Sequence, residues 1–149
     1  NLTRMLEQLA YEFKPMLAEK NLKCEFDIQP DMMLSCDANK LQRVFDNVLR
    51  NAVSYCYENT TIQVNARHAE DNVLIKIINE GDTIPRERLV RIFEQFYRLD
   101  VSRSSSTGGA GLGLAIAREI VELHHGQITA HSENGITCFE ITLPTVGKS

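Results

Sequence analysis

Residues 37–55 read DANKLQRVFDNVLRNAVSY, and Leu41, Val44, Phe45, Val48, Leu49 and Ala52 fall on one broad apolar stripe of a helix. Asp37 provides the side-chain oxygen that satisfies a free amide in a first helical turn, so the helix is expected to start behind it and to run to about Tyr55. At about 100° per residue, Asn47, Asn51 and Tyr55 make an i, i+4, i+8 row along the edge of that stripe. One asparagine at such an edge is ordinarily a cap, a solvated residue or a hydrogen-bonded core amide. Two in one row point to the wall of a pocket. An amide oxygen is a hard, neutral ligand suited to Mg²⁺, which keeps waters and takes few protein oxygens beside nucleotide phosphates.

Towards the N-terminus, Met5, Leu6, Leu9, Phe13, Met16 and Leu17 recur at helical spacing from Leu2, with a break expected just before Pro15, which lacks a backbone donor. Lys23 to Ile28 and Met33 to Cys36 read as strands joined into a hairpin by a turn at Pro30 and Asp31. Towards the C-terminus, Thr61 to His68 and Asn72 to Asn79 form a second hairpin through the intervening Glu-Asp-Asn turn. Pro85 to Phe96 is a short helical stretch, and Asp100 to Gly109 is a Ser/Gly-rich loop. Gly111 to His125 is a further helix ended by Gly126, and strands Gln127 to Ser132 and Ile136 to Leu143 turn at Asn134 and Gly135. No repeat or second domain interrupts this order, so residues 1–149 are expected to form a single domain.

Composition removes several classes of function. A formal net charge of -4 provides no clustered basic surface for nucleic acid or an anionic membrane. No apolar run approaches the ~20 residues of a membrane-spanning helix, so no direct membrane insertion of this chain is expected. Cys24, Cys36, Cys56 and Cys138 form no CxxC pair and have no histidines at zinc-ligand spacing, which predicts buried, reduced thiols. The chain starts at Asn1 in what reads as mid-helix and looks like a piece of something longer.

The run Gly108-Gly109-Ala110-Gly111-Leu112-Gly113-Leu114 precedes a helix, where small residues let backbone N–H groups approach an anion and the helix dipole favours it. It is not a P-loop, since Gly113 is followed by Leu114 and Ala115 in place of Lys and Ser/Thr. It is not a dinucleotide fingerprint either, because no strand leads into it. A plain linker followed by a helix is the competing reading.

In this order the pieces resemble the catalytic ATP-binding domain of bacterial sensor histidine kinases, within the gyrase, Hsp90, histidine kinase and MutL superfamily. Residues 46–52 (Asp46-Asn47-Val48-Leu49-Arg50-Asn51-Ala52) resemble the family's N box, and Ile78-Asn79-Glu80-Gly81-Asp82-Thr83-Ile84-Pro85 its first glycine box. Phe93-Glu94-Gln95-Phe96-Tyr97-Arg98 resembles the F box, Gly109 to Leu114 the second glycine box, and Gly135 to Pro144 the closing strand. The resemblance implies that Asn51 ligates Mg²⁺, that Asn47 lies near the phosphates, and that Asn79, Gly81, Ile84 and Thr137 lie at adenine; Tyr55, in the same helical row, is expected to line the nucleotide site with them. It further implies that Gly108, Gly109, Gly111, Leu112, Gly113 and Leu114 surround phosphates, with Phe96 nearby and Arg98 and Arg103 as γ-phosphate contacts. Three positions depart from the pattern. Asn79 replaces the usual aspartate, Thr83 the second glycine of its box, and Ser54 a phosphate-contacting lysine. Asn79, together with the Phe-Tyr-Arg-Leu-Asp run before the serine-rich loop, resembles the glycopeptide (vancomycin) resistance sensor kinases of Gram-positive bacteria.

The expectation is therefore an α+β two-layer sandwich of the Bergerat type: a mixed, mainly antiparallel sheet covered on one face by three helices, with ATP and Mg²⁺ under a lid at residues 100–109 and Phe93 and Phe96 at its hinge. His68, His124, His125 and His131 lack the His-Glu/Asp context of a phosphoacceptor, and His124 and His125 read as helix-end residues. The acceptor histidine, its base, the dimerisation helices and the response regulator that docks there are then expected outside this chain, itself the cytoplasmic domain of a membrane-bound sensor. Two alternatives stay open: a nucleotide-sensing module without kinase activity, and an ATP hydrolase with Asp46 as base.

Overall fold

A computed structural model describes residues 1–34, 36–94 and 113–145. Helix α1 (Leu2–Glu12) buries Leu2, Leu6 and Leu9, the positions its period supplies. It ends at Phe13, and α2 (Lys14–Glu19) starts with Pro15 in its first turn, where the missing N–H is no loss. The chain then enters β1 (Lys23–Ile28), crosses over through α3 (Ala38–Tyr55), and returns as β2 (Thr61–Ala69), parallel to β1 from Lys23 opposite Thr61 to Ile28 opposite Ala66.

Met33, Leu34 and Cys36, expected in the second strand of a hairpin with β1, therefore lie outside the sheet. A parallel β1–α3–β2 unit needs its connection to leave the sheet and climb to the helix layer. Met32 does so, fully buried, with its amide donating to Thr3 Oγ1 (2.9 Å) and its carbonyl accepting from the Leu2 amide (2.9 Å). The turn at Pro30 and Asp31 is real, with Asp31 at φ 56°, but it redirects the chain instead of pairing it back.

β3 (Asn72–Glu80) follows β2 antiparallel through Glu70 and Asp71. The expected helix from Pro85 shortens to α4 (Arg86–Leu89), with turns through Glu94. α5 (Gly113–Leu123) leads into β4 (Gln127–Glu133) and β5 (Ile136–Pro144). Asn134 and Gly135 both take positive φ (52° and 78°), the type I′ geometry that matches strand twist. At the end of α5 the left-handed residue is His125 (φ 64°), not Gly126. Gly126 is glycine for another reason: a Cβ there would run into the Thr142 carbonyl.

Among the described residues the five strands order as β1-β2-β3-β5-β4, mixed and mainly antiparallel. Alternation along them puts Ile62, Val64 and Ala66, Val73, Ile75 and Ile77, and Phe139, Ile141 and Leu143 on one buried face. The helices cover that face: α3 with Leu41, Val44, Phe45, Val48, Leu49 and Ala52, and α5 with Ala117 and Val121 beside it. All four cysteines are free; Cys56 is buried and the other three are half-buried. Burial raises every one of these thiols, Cys24 up to about 12. Among the described residues no helix is long and apolar enough to cross a membrane.

Candidate functional site

The apolar alternation of β3 and β5 breaks at one end of the sheet. After Val73, Ile75 and Ile77 the next helix-facing position of β3 is Asn79, and before Phe139 the next on β5 is Thr137; the two are paired across the strands. Each is only 3% exposed. The period-2 pattern thus aims a polar pair into the helix layer where the core stops.

A cavity of about 260 Å³ opens at that point, lined by Asn51, Tyr55, Cys56, Tyr57, Asn79, Asp82, Thr83, Ile84, Pro85, Arg88 and Thr137. Asn51 and Tyr55 arrive from the edge of α3, one turn apart, as the helical row requires. Asn47, the turn before, is half-buried and meets α5 instead: a Cβ on Gly113 would lie 3.6 Å from its amide. Gly113 therefore brings the first turn of α5 against the asparagine row. Leu114 is buried in the core and anchors α5 from below.

The loop after β3 is held by short polar bonds. The Ile84 amide donates to Ser132 Oγ (2.8 Å), which is hydrogen-bonded to Thr137 Oγ1 (2.9 Å). The Gly81 amide donates to the Gly135 carbonyl (2.9 Å), and the Gly135 amide donates to Thr83 Oγ1 (2.7 Å). Thr83, a departure from the family pattern, thus caps the β4–β5 turn. At the rim the Tyr57 hydroxyl donates to Asp82 Oδ1, which raises the Tyr57 phenol above its ordinary value.

The C-terminal turn of α3, which carries Asn51 and Tyr55, is fixed from outside the cavity. Lys20 Nζ donates to the carbonyls of Val53 (2.8 Å), Ser54 (3.0 Å) and Cys56 (3.3 Å), placing a cation on the negative end of the helix. At its other end, the Asp37 amide donates to His124 Nε2 (3.1 Å) while Nδ1 meets the Ile120 carbonyl (2.9 Å). His124 is thus a helix-end residue that also ties α5 to the start of α3. The helix-end position of His124 follows from the sequence, but its tie to Asp37 and the reach of Lys20 do not, because each joins elements far apart in the chain.

Of the positions expected at the site, Asn51, Tyr55, Asn79, Ile84 and Thr137 line the cavity, and Gly81 packs beside Asn79 at its base. Phe96, Arg98, Arg103, Gly108, Gly109, Gly111 and Leu112 lie outside the described residues. Phe93 is described and packs edge-on against Phe139 (centroids 6.2 Å apart), which fixes the chain just before that segment. Tyr57, Asp82, Pro85 and Arg88 were not among the expected site residues; Asp82 and Pro85 fall in the glycine-box run and Tyr57 two residues past Tyr55, while nothing in the sequence marks Arg88. Asp46 is paired with Arg50 (3.4 Å) on the part-exposed side of α3 and does not line the cavity. Among the described residues no group of three His, Cys, Asp or Glu side chains could hold a metal ion. Asn51, a hard neutral oxygen on the cavity wall, fits a Mg²⁺ whose other ligands are phosphate and water.

Residues 36–147 match the family model described as histidine kinase-, DNA gyrase B-, and HSP90-like ATPase. The chain is 42% identical over 144 residues to the sensor protein VanSC of Enterococcus gallinarum, covering 97% of this chain and 40% of that one. It is 45% identical over 146 residues to the sensor protein VanS of Enterococcus faecium, covering 98% of this chain and 38% of the relative. The chain thus spans about two fifths of the length of these curated relatives. In structure it is similar to the nucleotide-free catalytic domain of histidine kinase ThkA, with TM-score 0.87 and 24% identity, covering 97% of this chain and 93% of the other.

Proposed function

The chain belongs to the histidine kinase-, DNA gyrase B-, and HSP90-like ATPase family, and on that premise we propose that it is the ATP-binding catalytic domain of a two-component sensor histidine kinase. The observation that carries this reading is the buried pair Asn79 and Thr137, set at the end of an otherwise apolar strand face and opening into the cavity shared with Asn51. In this reading Asn79 accepts from the adenine amino group, and Ile84 and the Tyr55 ring supply the apolar walls. Asn51 holds Mg²⁺, which when bound neutralises phosphate charge.

Catalysis in such a site is positioning plus electrostatic stabilisation of a γ-phosphoryl in flight, so no acid or base within this chain is required. The phosphoryl goes to an imidazole nitrogen on dimerisation helices outside this chain, from which a response regulator takes it. We place the domain on the cytoplasmic side of a membrane sensor of the VanS kind. The hydrolase alternative needs a carboxylate beside Asn51 to activate water; Asp46 is paired with Arg50 instead, which counts against it.

The test is calorimetric titration with Mg²⁺ and a non-hydrolysable ATP analogue. Asn51→Ala should weaken binding about tenfold or more, the loss of one metal-ligand interaction. A separately supplied dimerisation domain should then gain phosphate from ATP. Analogue binding without that transfer would favour a nucleotide-sensing module, a reading motivated by the neutral acceptor at position 79.

A further inference from the structure

We infer that the site admits 6-oxopurine nucleotides alongside ATP, because the group facing the base at the bottom of the cavity is an amide that can present either polarity. The inference rests on the reading of the cavity as a purine nucleotide site with Asn79 against the 6-position of the base.

Among the described residues the buried polar side chains are Thr3, Ser54, Asn79 and Thr137, and of these only Asn79 and Thr137 line the cavity. Thr137 is already hydrogen-bonded to Ser132, which also accepts from the Ile84 amide. A hydroxyl can rotate to donate or accept, so Asn79 is the deep group whose chemistry decides between one base edge and another. Two residues on, just past the end of β3, stands Gly81, so no side chain occupies that position beside the amide; a Cβ there would lie 3.5 Å from Asn79 Nδ2.

An asparagine amide carries a carbonyl oxygen that accepts and an NH₂ that donates, and a half-turn of the amide plane exchanges them. Against adenine, Oδ1 accepts from the 6-amino group and Nδ2 donates to N1. With the amide turned over, Nδ2 donates to a 6-oxo group and Oδ1 accepts from N1–H. Each pairing is a closed two-bond ring between neutral partners, so neither base leaves a buried polar atom without a partner.

A carboxylate has no such second face. With one oxygen set against the 6-position, as an adenine amino group requires, it turns lone pairs towards a 6-oxo group there, and an oxo base fits only by shifting N1–H onto the carboxylate. Asn79 thus removes the device by which a carboxylate at this position would reject the oxo base. The cost of this tolerance is a weaker bond to adenine, since a neutral acceptor is weaker than a charged one.

Inosine triphosphate is the appropriate probe, because hypoxanthine carries the 6-oxo group and N1–H without the additional 2-amino group of guanine. With Mg²⁺ present, ATP and inosine triphosphate are titrated separately into this chain and into Asn79→Asp. The expected result is inosine triphosphate bound within about tenfold of ATP by the parent, and a preference for ATP that widens by about tenfold or more in Asn79→Asp. ATP bound and inosine triphosphate refused by the parent, or a ratio that Asn79→Asp leaves unchanged, would overturn the inference while leaving the nucleotide reading intact. No ATP bound by the parent would remove both. Should Asn79→Asp fail to fold, the ratio measured on the parent decides alone.

Discussion

Gly81 is where the requirement for one particular residue is easiest to state. Its amide bonds the Gly135 carbonyl, it bridges Cys56 across the end of α3, and an added Cβ would sit 2.5 Å from the Tyr55 carbonyl oxygen. That oxygen belongs to the backbone of a helix end and cannot rotate away. Gly81→Ala should therefore push the last turn of α3 off β3, costing about 1–3 kcal/mol of stability, the range for overpacking a close contact. It should also weaken nucleotide binding, because Tyr55 and Asn51 move with that turn. Urea unfolding beside calorimetry on the variant measures both; unaltered stability would mean that the two segments yield freely. The resemblance to a known family assigned Gly81 to the base, whereas the geometry gives it a packing role one step removed. Asn79 shows the opposite case. Its polarity interrupts the apolar alternation of β3, so the sequence itself marks where the core ends and the cavity begins.

At the scale of elements, the helices and strands with a strong period were readable, and the errors fall where a long-range contact overrides a local signal. The α3 stripe, the β2–β3 and β4–β5 hairpins and the break at Pro15 all follow from spacing or turn chemistry. Met33, Leu34 and Cys36 are not in a strand because β-propensity does not reveal that β1 pairs with β2, far along the chain, and that the connection must leave the sheet. The same blindness hid Lys20. Nothing near it in the sequence suggests a role, yet its ammonium group reaches three carbonyls at the end of α3, 33 to 36 residues away. Lys20→Met keeps the aliphatic stem and removes the donors. It should lower stability by about 2 kcal/mol, the scale of lost hydrogen bonds to a charged group. It should also reduce ATP-analogue affinity, since the turn bearing Tyr55 loses its anchor. A change in the urea midpoint with unchanged affinity would restrict Lys20 to a purely stabilising role.

Across the whole molecule, the sheet with helices on one face could be anticipated because every buried stripe needed an apolar partner. The exact pairing of Asn51 with Asn79 in one cavity could not be read from periodicity, since it depends on how far α3 extends over β3. The thiols report on that packing collectively. All four are shifted in one direction by burial, with no opposing cation strong enough to reverse the shift. A buried thiol that holds its proton in the folded chain, but loses it near its ordinary value of 9.0 when unfolded, contributes stability that is fully present at neutral pH. That contribution falls as pH rises from 9.0 towards the folded value of about 12 for Cys24, because the unfolded chain then gains from ionising while the folded chain does not. The urea midpoint should therefore decline progressively above pH 9. Lysines and tyrosines titrate in the same window, so the parent is compared with Cys24→Ala. The variant starts less stable at pH 7.5, and the gap should narrow by pH 10.5 because it lacks the ionisation that penalises the parent. A gap that stays constant over this range would mean that Cys24 ionises alike in both states, and that β1 admits water where the structure packs it against the core.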